Sequence, residues 1–512
     1  MVAGDESHYE HPKLEQQPDG GPEERPEPPP EGHRKPRAAG GLLRRSTASL
    51  VILVLVAAVI TNQFDLGRKW LGWDYPSPVT EPAEVAPPPG LNLPDASPAP
   101  VVAEETEDQA ADPDAVRRAL AKLVASKKLG RHVRVAVDQL SDGASVYEHG
   151  VGLVTPASTM KMVTALAALE TLGPDHRFAT RVVAGANSRQ VILVGGGDPL
   201  LGRAPVPGDV YPNRADVETL AAATAKSLQR LGRDSIRIRF DDSMFTGPKA
   251  SRDWDPSYIP DNVVSPISAL WVDGGRERTG LGDRSDDPAA AAAQVFADAL
   301  AKEKITVLGK PKPAVAAEDA TELAVVRSAP LQQIVQLTLE VSNNEAAEVL
   351  FRHVAIAEGQ PASFAGGSKA VTAVLDRLGV DTSGQRILDG SGLSREDRLA
   401  PDTLLSVIGL AASDDHPELR TVVVDLPVAG FTGSLAYRFD TGDDAGPGRV
   451  RAKTGTLAGV HGLAGVVTDL DGTELSFVAI ADRVKVSNTL TAQVLIDEIA
   501  AALAGCSCAS ST

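Results

Sequence analysis

Apolar positions between residues 155 and 173 follow the spacing of a helix that is buried on most of its surface. One stripe consists of residues 162, 165, 166, 169 and 172, and it is widened by Met160, Val163 and Ala167. Thr155-Pro156 provides a helix start with Thr155 as the N-cap, and Gly173-Pro174 provides a helix end. The pattern predicts a central helix that opens at Thr155 and runs to about Leu172.

Two side chains in the first turns of this helix can do chemistry together. The i,i+3 spacing of Ser158 and Lys161 places the amine on the same face as the hydroxyl. The helix N-terminus adds positive potential where an oxyanion would form. A serine-x-x-lysine pattern by itself is weak, because it arises by chance about once in a chain of this length.

Further periodic segments predict an α+β fold. Alternation at residues 134–137 marks one strand of an antiparallel sheet that joins the first strands of the chain to the last, with helices before and after. Helices are predicted over 114–126, 331–341, 345–357, 367–378, 401–410 and 489–503, and strands over 133–140, 144–149, 449–453, 460–468 and 475–482.

The segment between Ser158 and Ser342 is far longer than one crossover needs, which predicts an insertion. We assign 113–175 and 330–505 to a catalytic domain and 176–329 to an inserted domain. Within it, Gly195-Gly196-Gly197-Asp198-Pro199 follows an apolar run but lacks the third glycine of a dinucleotide site and the lysine of a P-loop. A structural turn is the favoured interpretation, and no cofactor is predicted.

The chain before residue 113 predicts no folded domain. Residues 1–45 are rich in Pro, Glu and Gly and predict a disordered cytoplasmic tail, whereas 65–112 is a Pro-rich acidic linker. Basic residues precede the apolar run in 46–64, so the membrane orientation rule places everything after it outside the cytoplasm. Both a single-pass anchor and a cleaved signal segment fit; the long preceding tail favours the anchor.

Charge and histidine content exclude other functions. The formal net charge of −18 and the absence of a dense basic face argue against a nucleic-acid partner. The nine histidines form no His-Glu-x-x-His pattern, so no metal site is predicted. Cys506 and Cys508 are too few for a zinc cage; whether they are oxidised to each other stays open.

Two further motifs follow Ser158 and Lys161 in the order that Ser-Lys acyl enzymes use. They are Ser342-Asn343-Asn344 and Lys453-Thr454-Gly455-Thr456. With three ordered motifs the chain resembles the low-molecular-mass class C penicillin-binding proteins, a D-alanyl-D-alanine carboxypeptidase/endopeptidase family of the peptidase S13 type. The resemblance covers about 114–504 and includes 195–199, 266–270, 389–394, 426–430 and 433–435.

The resemblance implies a transpeptidase domain like that of the serine β-lactamases and penicillin-binding proteins, with an inserted domain after the catalytic helix. The insertion is shorter than in the largest relatives, which implies one inserted domain rather than two. It implies a serine-type D-Ala-D-Ala carboxypeptidase or D,D-endopeptidase that acts on peptidoglycan stem peptides. β-Lactam antibiotics would be covalent inhibitors.

The resemblance also implies a role for each residue of this chain that matches a family motif. Ser158 would be the nucleophile, Lys161 its base and Ser342 a proton relay, with an oxyanion hole formed by the N–H groups of Ser158 and Thr456. The substrate would be bound by Asn344, Lys453, Thr454, Gly455, Thr456 and Arg395. Asp255 and Asp261 are the alternatives for a contact with the substrate amino group, and His461 is expected to be structural.

Lys161 has to be neutral to accept a proton. An ordinary lysine is neutral about once in 10³ at pH 7, so the site must lower its pKa by about 2–3 units. Burial and the charge of Lys453 are the expected causes. A serine β-lactamase and a non-catalytic wall-binding module are the alternatives, and the choice between carboxypeptidase and endopeptidase stays open.

Overall fold

The computed structural model describes residues 109–510 except 209, 279–280 and 441–443. The α-helices are α1 Pro113–Val124, α2 Met160–Leu172, α3 Val217–Arg230, α4 Pro288–Lys302, α5 Leu331–Glu340, α6 Asn344–Ala357, α7 Phe364–Arg377, α8 Pro401–Ala412, α9 Thr421–Val424 and α10 Thr489–Ala504. The strands are β1 Val133–Gln139, β2 Ser145–His149, β3 Ala179–Ala184, β4 Gln190–Val194, β5 Ser235–Asp241, β6 Arg276–Arg278, β7 Leu281–Arg284, β8 Thr306–Val307, β9 Lys312–Pro313, β10 Glu322–Arg327, β11 Val450–Leu457, β12 Val460–Thr468 and β13 Glu474–Ala481.

A five-stranded antiparallel sheet joins the two ends of the described chain. Its order is β11-β12-β13-β1-β2, and Val133 of β1 lies opposite Ala481 of β13. The predicted α+β fold with a sheet that unites the first and last strands is confirmed. β11 lies at the edge of this sheet and extends to Leu457, beyond the predicted end at residue 453, so the Lys453–Thr456 motif is inside an edge strand.

The central helix α2 is buried as the apolar pattern predicts. Every residue from Met160 to Leu169 is buried, and the helix packs against α5, α6, α7 and α8. Met162, Leu166 and Leu169 have no exposed surface. Burial of side chains of this size is worth about 1.5–3 kcal/mol each, so α2 is held firmly in place.

The predicted start of this helix at Thr155 is wrong. Ala157–Thr159 forms a 3₁₀ turn, α2 begins at Met160, and no side-chain cap is present at either start. Ala157 has a φ of +47°, which interrupts regular helix geometry. Thr155 instead tethers the chain: its N–H donates to Asp482 Oδ2 at 2.9 Å, and its hydroxyl accepts from Arg398 at 3.0 Å.

A second sheet is formed by residues 179–327. Its order is β10-β3-β4-β5-β8, with β9 also beside β5, and α3 and α4 pack with it around a separate hydrophobic cluster. β4 and β5 are parallel, and the connection that contains α3 supplies the long crossover that parallel strands need. The division into domains at 176 and 329 stays a prediction.

The Gly195-Gly196-Gly197 segment makes a tightly packed turn. A Cβ at Gly196 would lie 1.9 Å from the Ala179 carbonyl oxygen, and one at Gly195 would lie 2.5 Å from that of Ala269. Glycine is needed here because backbones approach closely.

The C-terminus closes against the start of the described chain. Cys506 and Cys508 are joined by a disulfide, the Asp112 N–H donates to the Cys508 carbonyl at 2.6 Å, and the Ser510 N–H donates to that of Ala110 at 2.8 Å. None of the helices in the described ranges has the length and hydropathy that crossing a bilayer requires. The anchor or signal segment predicted at 46–64, the tail 1–45 and most of the 65–112 linker lie outside the described residues.

Candidate active site

Ser158 is held at the surface end of a buried helix. It lies in the 3₁₀ turn before α2 and is partly exposed, whereas Lys161, one turn later, has no exposed surface. The left-handed Ala157 costs about 1–2 kcal/mol. Gly392 packs directly on this turn, because a Cβ there would lie 1.8 Å from the Ala157 carbonyl oxygen. The contact with Gly392 thus holds the turn in place while Ser158 stays accessible.

Three groups surround the amine of Lys161. Its Nζ lies 2.9 Å from Ser158 Oγ, 2.8 Å from Asn344 Oδ1 and 2.8 Å from the Ser391 carbonyl oxygen. The last two oxygens can only accept hydrogen bonds. A neutral amine would donate its two N–H groups to these two oxygens, and its lone pair would then point at the hydroxyl of Ser158.

The orientation of the Asn344 amide is fixed by a second contact. Asn344 Nδ2 donates to the Val263 carbonyl oxygen at 3.0 Å, and that oxygen cannot donate. The amide oxygen therefore faces Lys161. Val263 belongs to the segment between β5 and β6, so this segment helps to orient the amide of Asn344 towards Lys161.

Burial lowers the pKa of Lys161 to about 8. The nearby carboxyl groups of Asp389, Glu348 and Glu345 oppose this effect, because negative charge favours the ammonium form. With a pKa near 8, about one lysine in ten is neutral at pH 7. Burial is one of the two causes expected from the sequence.

Ser342 lies at the turn between α5 and α6 in a left-handed conformation, with φ of +57°. Asn343 is the N-cap of α6, and its Oδ1 accepts from the Ala346 N–H at 3.0 Å. Because Asn343 caps the helix, the side chains of Ser342 and Asn344 can hydrogen-bond to Lys453 and Lys161 respectively. Lys453 Nζ donates to Ser342 Oγ at 2.9 Å.

Lys453 is fully buried on β11. Its Nζ also donates to the Thr454 carbonyl oxygen at 2.9 Å. Burial lowers the pKa of Lys453 well below its usual range, and the charge of Lys161 lowers it further. The two amines therefore repel each other, and each disfavours the charged form of the other.

The rest of the β11 motif faces the Ser158 turn. A Cβ at Gly455 would lie 2.8 Å from the Pro156 carbonyl oxygen, so glycine permits the strand to approach this turn. Thr454 Oγ1 donates to Ser434 Oγ at 3.1 Å, and Thr456 is exposed. Ser434 was not predicted as a site residue.

Arg395 is exposed at the end of the 389–394 loop. Its Nη2 donates to the Ala458 carbonyl oxygen at 2.9 Å, just after β11. Its charge also reaches Tyr258 and Asp255: burial raises the pKa of Tyr258 while Arg395 opposes the rise. Hydrogen bonds from Ser257 lower the pKa of Asp255, and the charge of Arg395 lowers it further. His461 on β12 is buried, and burial lowers its pKa.

A buried carboxyl cluster lies behind Lys161, and no sequence motif indicated that Glu348 belongs to it. Glu348 Oε1 accepts from the N–H groups of Gly390 and Ser391 at 3.1 and 2.9 Å, and from the Ser391 hydroxyl at 2.5 Å. Asp389 accepts from Trp254 Nε1 and from the N–H groups of Gly392 and Ser394, each at 2.7 Å. These bonds fix the loop that presents the Ser391 carbonyl to Lys161.

Within the described ranges, one trio of side chains has the arrangement of metal ligands: Glu170, His416 and Glu418. Glu170 lies in the last turn of α2, about 18 Å from Ser158 at 1.5 Å rise per residue. This group is therefore remote from the two lysines and has no part in their chemistry.

Comparisons with known proteins identify the family of this chain. The D-Ala-D-Ala carboxypeptidase 3 (S13) family profile matches residues 116–283 and 276–503. Carboxypeptidase Rv3627c of Mycobacterium tuberculosis is 40% identical over 387 residues, which cover 73% of this chain and 82% of that protein. Carboxypeptidase DacB of Mycolicibacterium smegmatis is 36% identical over 408 residues, which cover 77% of this chain and 86% of that protein.

The fold is also found in a solved structure. Penicillin binding protein 4 (dacB) from Haemophilus influenzae superposes with a TM-score of 0.59 at 22% identity, covering 74% of this chain and 97% of that chain. The expected penicillin-binding-protein fold is confirmed. The chain therefore belongs to the D-Ala-D-Ala carboxypeptidase 3 (S13) family, and it is a serine-type D-Ala-D-Ala carboxypeptidase, a hydrolase.

Proposed function

We propose that Ser158 is acylated by peptidoglycan stem peptides that end in D-Ala-D-Ala. The observation that carries this assignment is the environment of Lys161 Nζ, where two neighbours are obligate acceptors and only Ser158 Oγ can donate. This is the geometry of a nucleophile and its general base.

In the reaction, Ser158 Oγ attacks the carbonyl carbon of the penultimate D-alanine while Lys161 takes its proton. The new C–O bond forms, and the C–N bond to the terminal D-alanine then breaks. Ser342 passes its hydroxyl proton to the leaving amine, which departs as free D-alanine, and takes up the proton that Lys161 holds, so Lys161 is neutral again for the second step. Water hydrolyses the ester and restores the serine. The N–H groups of Ser158 and Thr456 stabilise the oxyanion at both steps.

Coupling between the lysines prepares the base. A substrate carboxylate beside Lys453 and Thr454 raises the pKa of Lys453 and so favours a proton there. A charged Lys453 lowers the pKa of Lys161 in turn, because the two amines repel each other. Substrate binding therefore increases the fraction of Lys161 that is neutral.

The edge strand β11 supplies the binding surface. An extended peptide can add to an unpaired strand edge, with Thr454 and Thr456 binding the terminal carboxylate and Gly455 keeping the strand close to Ser158. Asn344 holds the substrate amide. Arg395, with Asp255 beside it, contacts the far end of the stem-peptide side chain.

The same chemistry serves a D,D-endopeptidase, since only the leaving amine differs. β-Lactams would acylate Ser158 and act as covalent inhibitors; a complex of the Haemophilus influenzae penicillin binding protein 4 with a β-lactam has been solved, which supports this proposal. We further propose that residues 113–175 and 330–505 form the catalytic domain outside the cytoplasm. The 46–64 segment would attach it to the membrane as a single-pass anchor, and the 65–112 linker would let it reach the wall.

The test is intact-mass spectrometry after incubation with labelled penicillin, for the wild type, Ser158→Ala and the surface variant Ser413→Ala. We expect one stable adduct in the wild type and Ser413→Ala and none in Ser158→Ala. D-Alanine release from a pentapeptide and cleavage of a cross-linked dimer then separate the two activities. Rapid penicillin turnover without an adduct would identify a β-lactamase, and neither adduct nor turnover by folded protein would favour a binding module.

A further inference from the structure

A second cavity lies beside the Ser342-Asn343-Asn344 turn. Its volume is about 310 Å³. It lies between the α5–α6 region, which contributes Asn343 and Glu345, and the 199–284 segment, which contributes Arg214, Asp273, Arg276 and Arg284. None of the residues assigned to the acylation site lines it.

The charged side chains of this cavity leave an excess of positive charge. Glu345 is paired with Arg284 at 2.6 Å, and Asp273 is paired with Arg203, which does not line the cavity, at 3.4 Å. Among residues that the structure describes, Arg214 and Arg276 have no ion-pair partner. Two guanidinium groups therefore face the cavity region without a carboxylate of their own.

Among the described residues, Asp198 interacts with Arg214 but does not balance its charge. Asp198 Oδ1 accepts from the Leu200 N–H at 2.9 Å, and its Oδ2 has no partner. Burial raises the pKa of Asp198 to about 7, and the Leu200 N–H and Arg214 only partly oppose this. The carboxyl is thus substantially protonated at neutral pH.

Arg284 is buried with unsatisfied donors. Its side chain is 3% exposed, and its Nη2 donates to the Asn262 carbonyl oxygen at 3.1 Å. Its Nε and Nη1 have no hydrogen-bond partner, and neither has the buried Nε of Arg214. Burial lowers the pKa of Arg284, and the charge of Arg276 lowers it further against the effect of Glu345. Unpaired buried donors of this kind call for an acceptor that is bound at the site.

We propose that this cavity binds a small anion through Arg214, Arg276 and Arg284, with a carboxylate or phosphate group as the ligand. Guanidinium groups pair with both through two parallel N–H···O bonds. The volume is about ten times the share of one water in the liquid, so it admits the anionic group together with part of the molecule that carries it. A cation would meet net repulsion, and a neutral ligand would leave the charges unbalanced.

Two sources can supply this chemistry: a free anion such as inorganic phosphate, or an anionic group on a wall polymer. Isothermal titration of the full chain with inorganic phosphate is one arm, and titration with a soluble carboxylate-bearing disaccharide peptide is the other. The variants are Arg276→Gln and Arg276→Lys. Arg189→Gln is the matched control, because Arg189 is exposed on the β3–β4 turn and does not line the cavity.

We expect Arg276→Gln to weaken binding by about tenfold or more, as loss of one charge-assisted hydrogen-bonding group does. Arg276→Lys should weaken binding by a smaller factor, and Arg189→Gln should leave the affinity unchanged. Phosphate binding with this dependence identifies a free anion; tighter binding of the disaccharide peptide with the same dependence identifies a wall polymer. Equal loss in Arg189→Gln, or binding insensitive to Arg276→Gln, would place the anion elsewhere, for example at Lys453, and would overturn the proposal. So would the absence of binding in both arms.

Discussion

Replacing Glu348 by glutamine is expected to change how the stability of this protein depends on pH. Glu348 has no exposed surface. Burial raises its pKa from 4.5 to about 7, with the charge of Asp389 as the next cause. The folded state therefore binds this proton more tightly than the unfolded chain. Stability from this group is fully present below pH 4.5 and is lost as the pH rises through 7.

The magnitude follows from the two pKa values. A shift of about 2.5 units at 1.36 kcal/mol per unit corresponds to a loss of about 3 kcal/mol between pH 4.5 and 8. Glutamine has no such titration. The free energy of unfolding of Glu348→Gln should therefore rise by about 3 kcal/mol relative to the wild type across that window. Burial also raises the pKa of Asp389 and Asp397, and both interact with the charge of Glu348, so its removal lowers their pKa and changes the stability difference in the same direction.

Urea unfolding at pH 5, 6, 7 and 8 measures this difference, with Glu303→Gln as the control because Glu303 is exposed. The difference in free energy of unfolding between Glu303→Gln and the wild type should not change with pH. Acylation by penicillin should fall by less than about tenfold in Glu348→Gln, because the amide oxygen can still accept from Gly390 and Ser391. A difference between wild type and Glu348→Gln that does not change with pH would refute this reasoning, since Glu348 would then be held ionised by Arg352.

Three further outcomes test the site. Gly455→Ala should slow penicillin acylation by about 10²-fold, because the new Cβ, 2.8 Å from the Pro156 oxygen, displaces the strand, while Gly409→Ala, with open space around its Cβ, should not. The acylation rate should rise about tenfold per pH unit below 8 and level off above it, as Lys161 loses its proton; a flat profile from pH 6 to 9 would contradict this. Asn343→Ala should lower the free energy of unfolding by about 1 kcal/mol in urea unfolding, and Asn343→Asp, which keeps the cap acceptor, should restore most of it.

Local spacing accounts for what could be predicted. Ser158 and Lys161 are three residues apart, so their encounter requires only a helical turn, and the distance between their polar atoms is 2.9 Å. The strands of the large sheet are also local features, and one of them is predicted to end at Lys453. Such features need no knowledge of distant contacts.

The parts that escaped prediction depend on contacts between remote segments. The Ser391 carbonyl is a backbone group, and no residue type marks it as a ligand of Lys161. In the sequence Glu348 is an ordinary helical glutamate, and only the folded chain shows that it accepts hydrogen bonds from Gly390 and Ser391. The misplaced helix start at Thr155 has the same origin, because Asp482 takes the Thr155 N–H from more than three hundred residues away.

These distant contacts decide how basic Lys161 is. Burial alone disfavours its ammonium form, and an amine surrounded only by apolar groups would become too weak a base to hold the proton of Ser158. Asp389 and Glu348 counter that effect through the loop that also presents the Ser391 carbonyl, so one structural unit both positions the amine and keeps its pKa near 8. Lys453 instead lies near the charges of Lys161 and Arg438, which add to the effect of burial, and its pKa falls well below the usual range. The difference between two equally buried lysines thus lies in their charged neighbours, and it leaves Lys161 the more basic of the two.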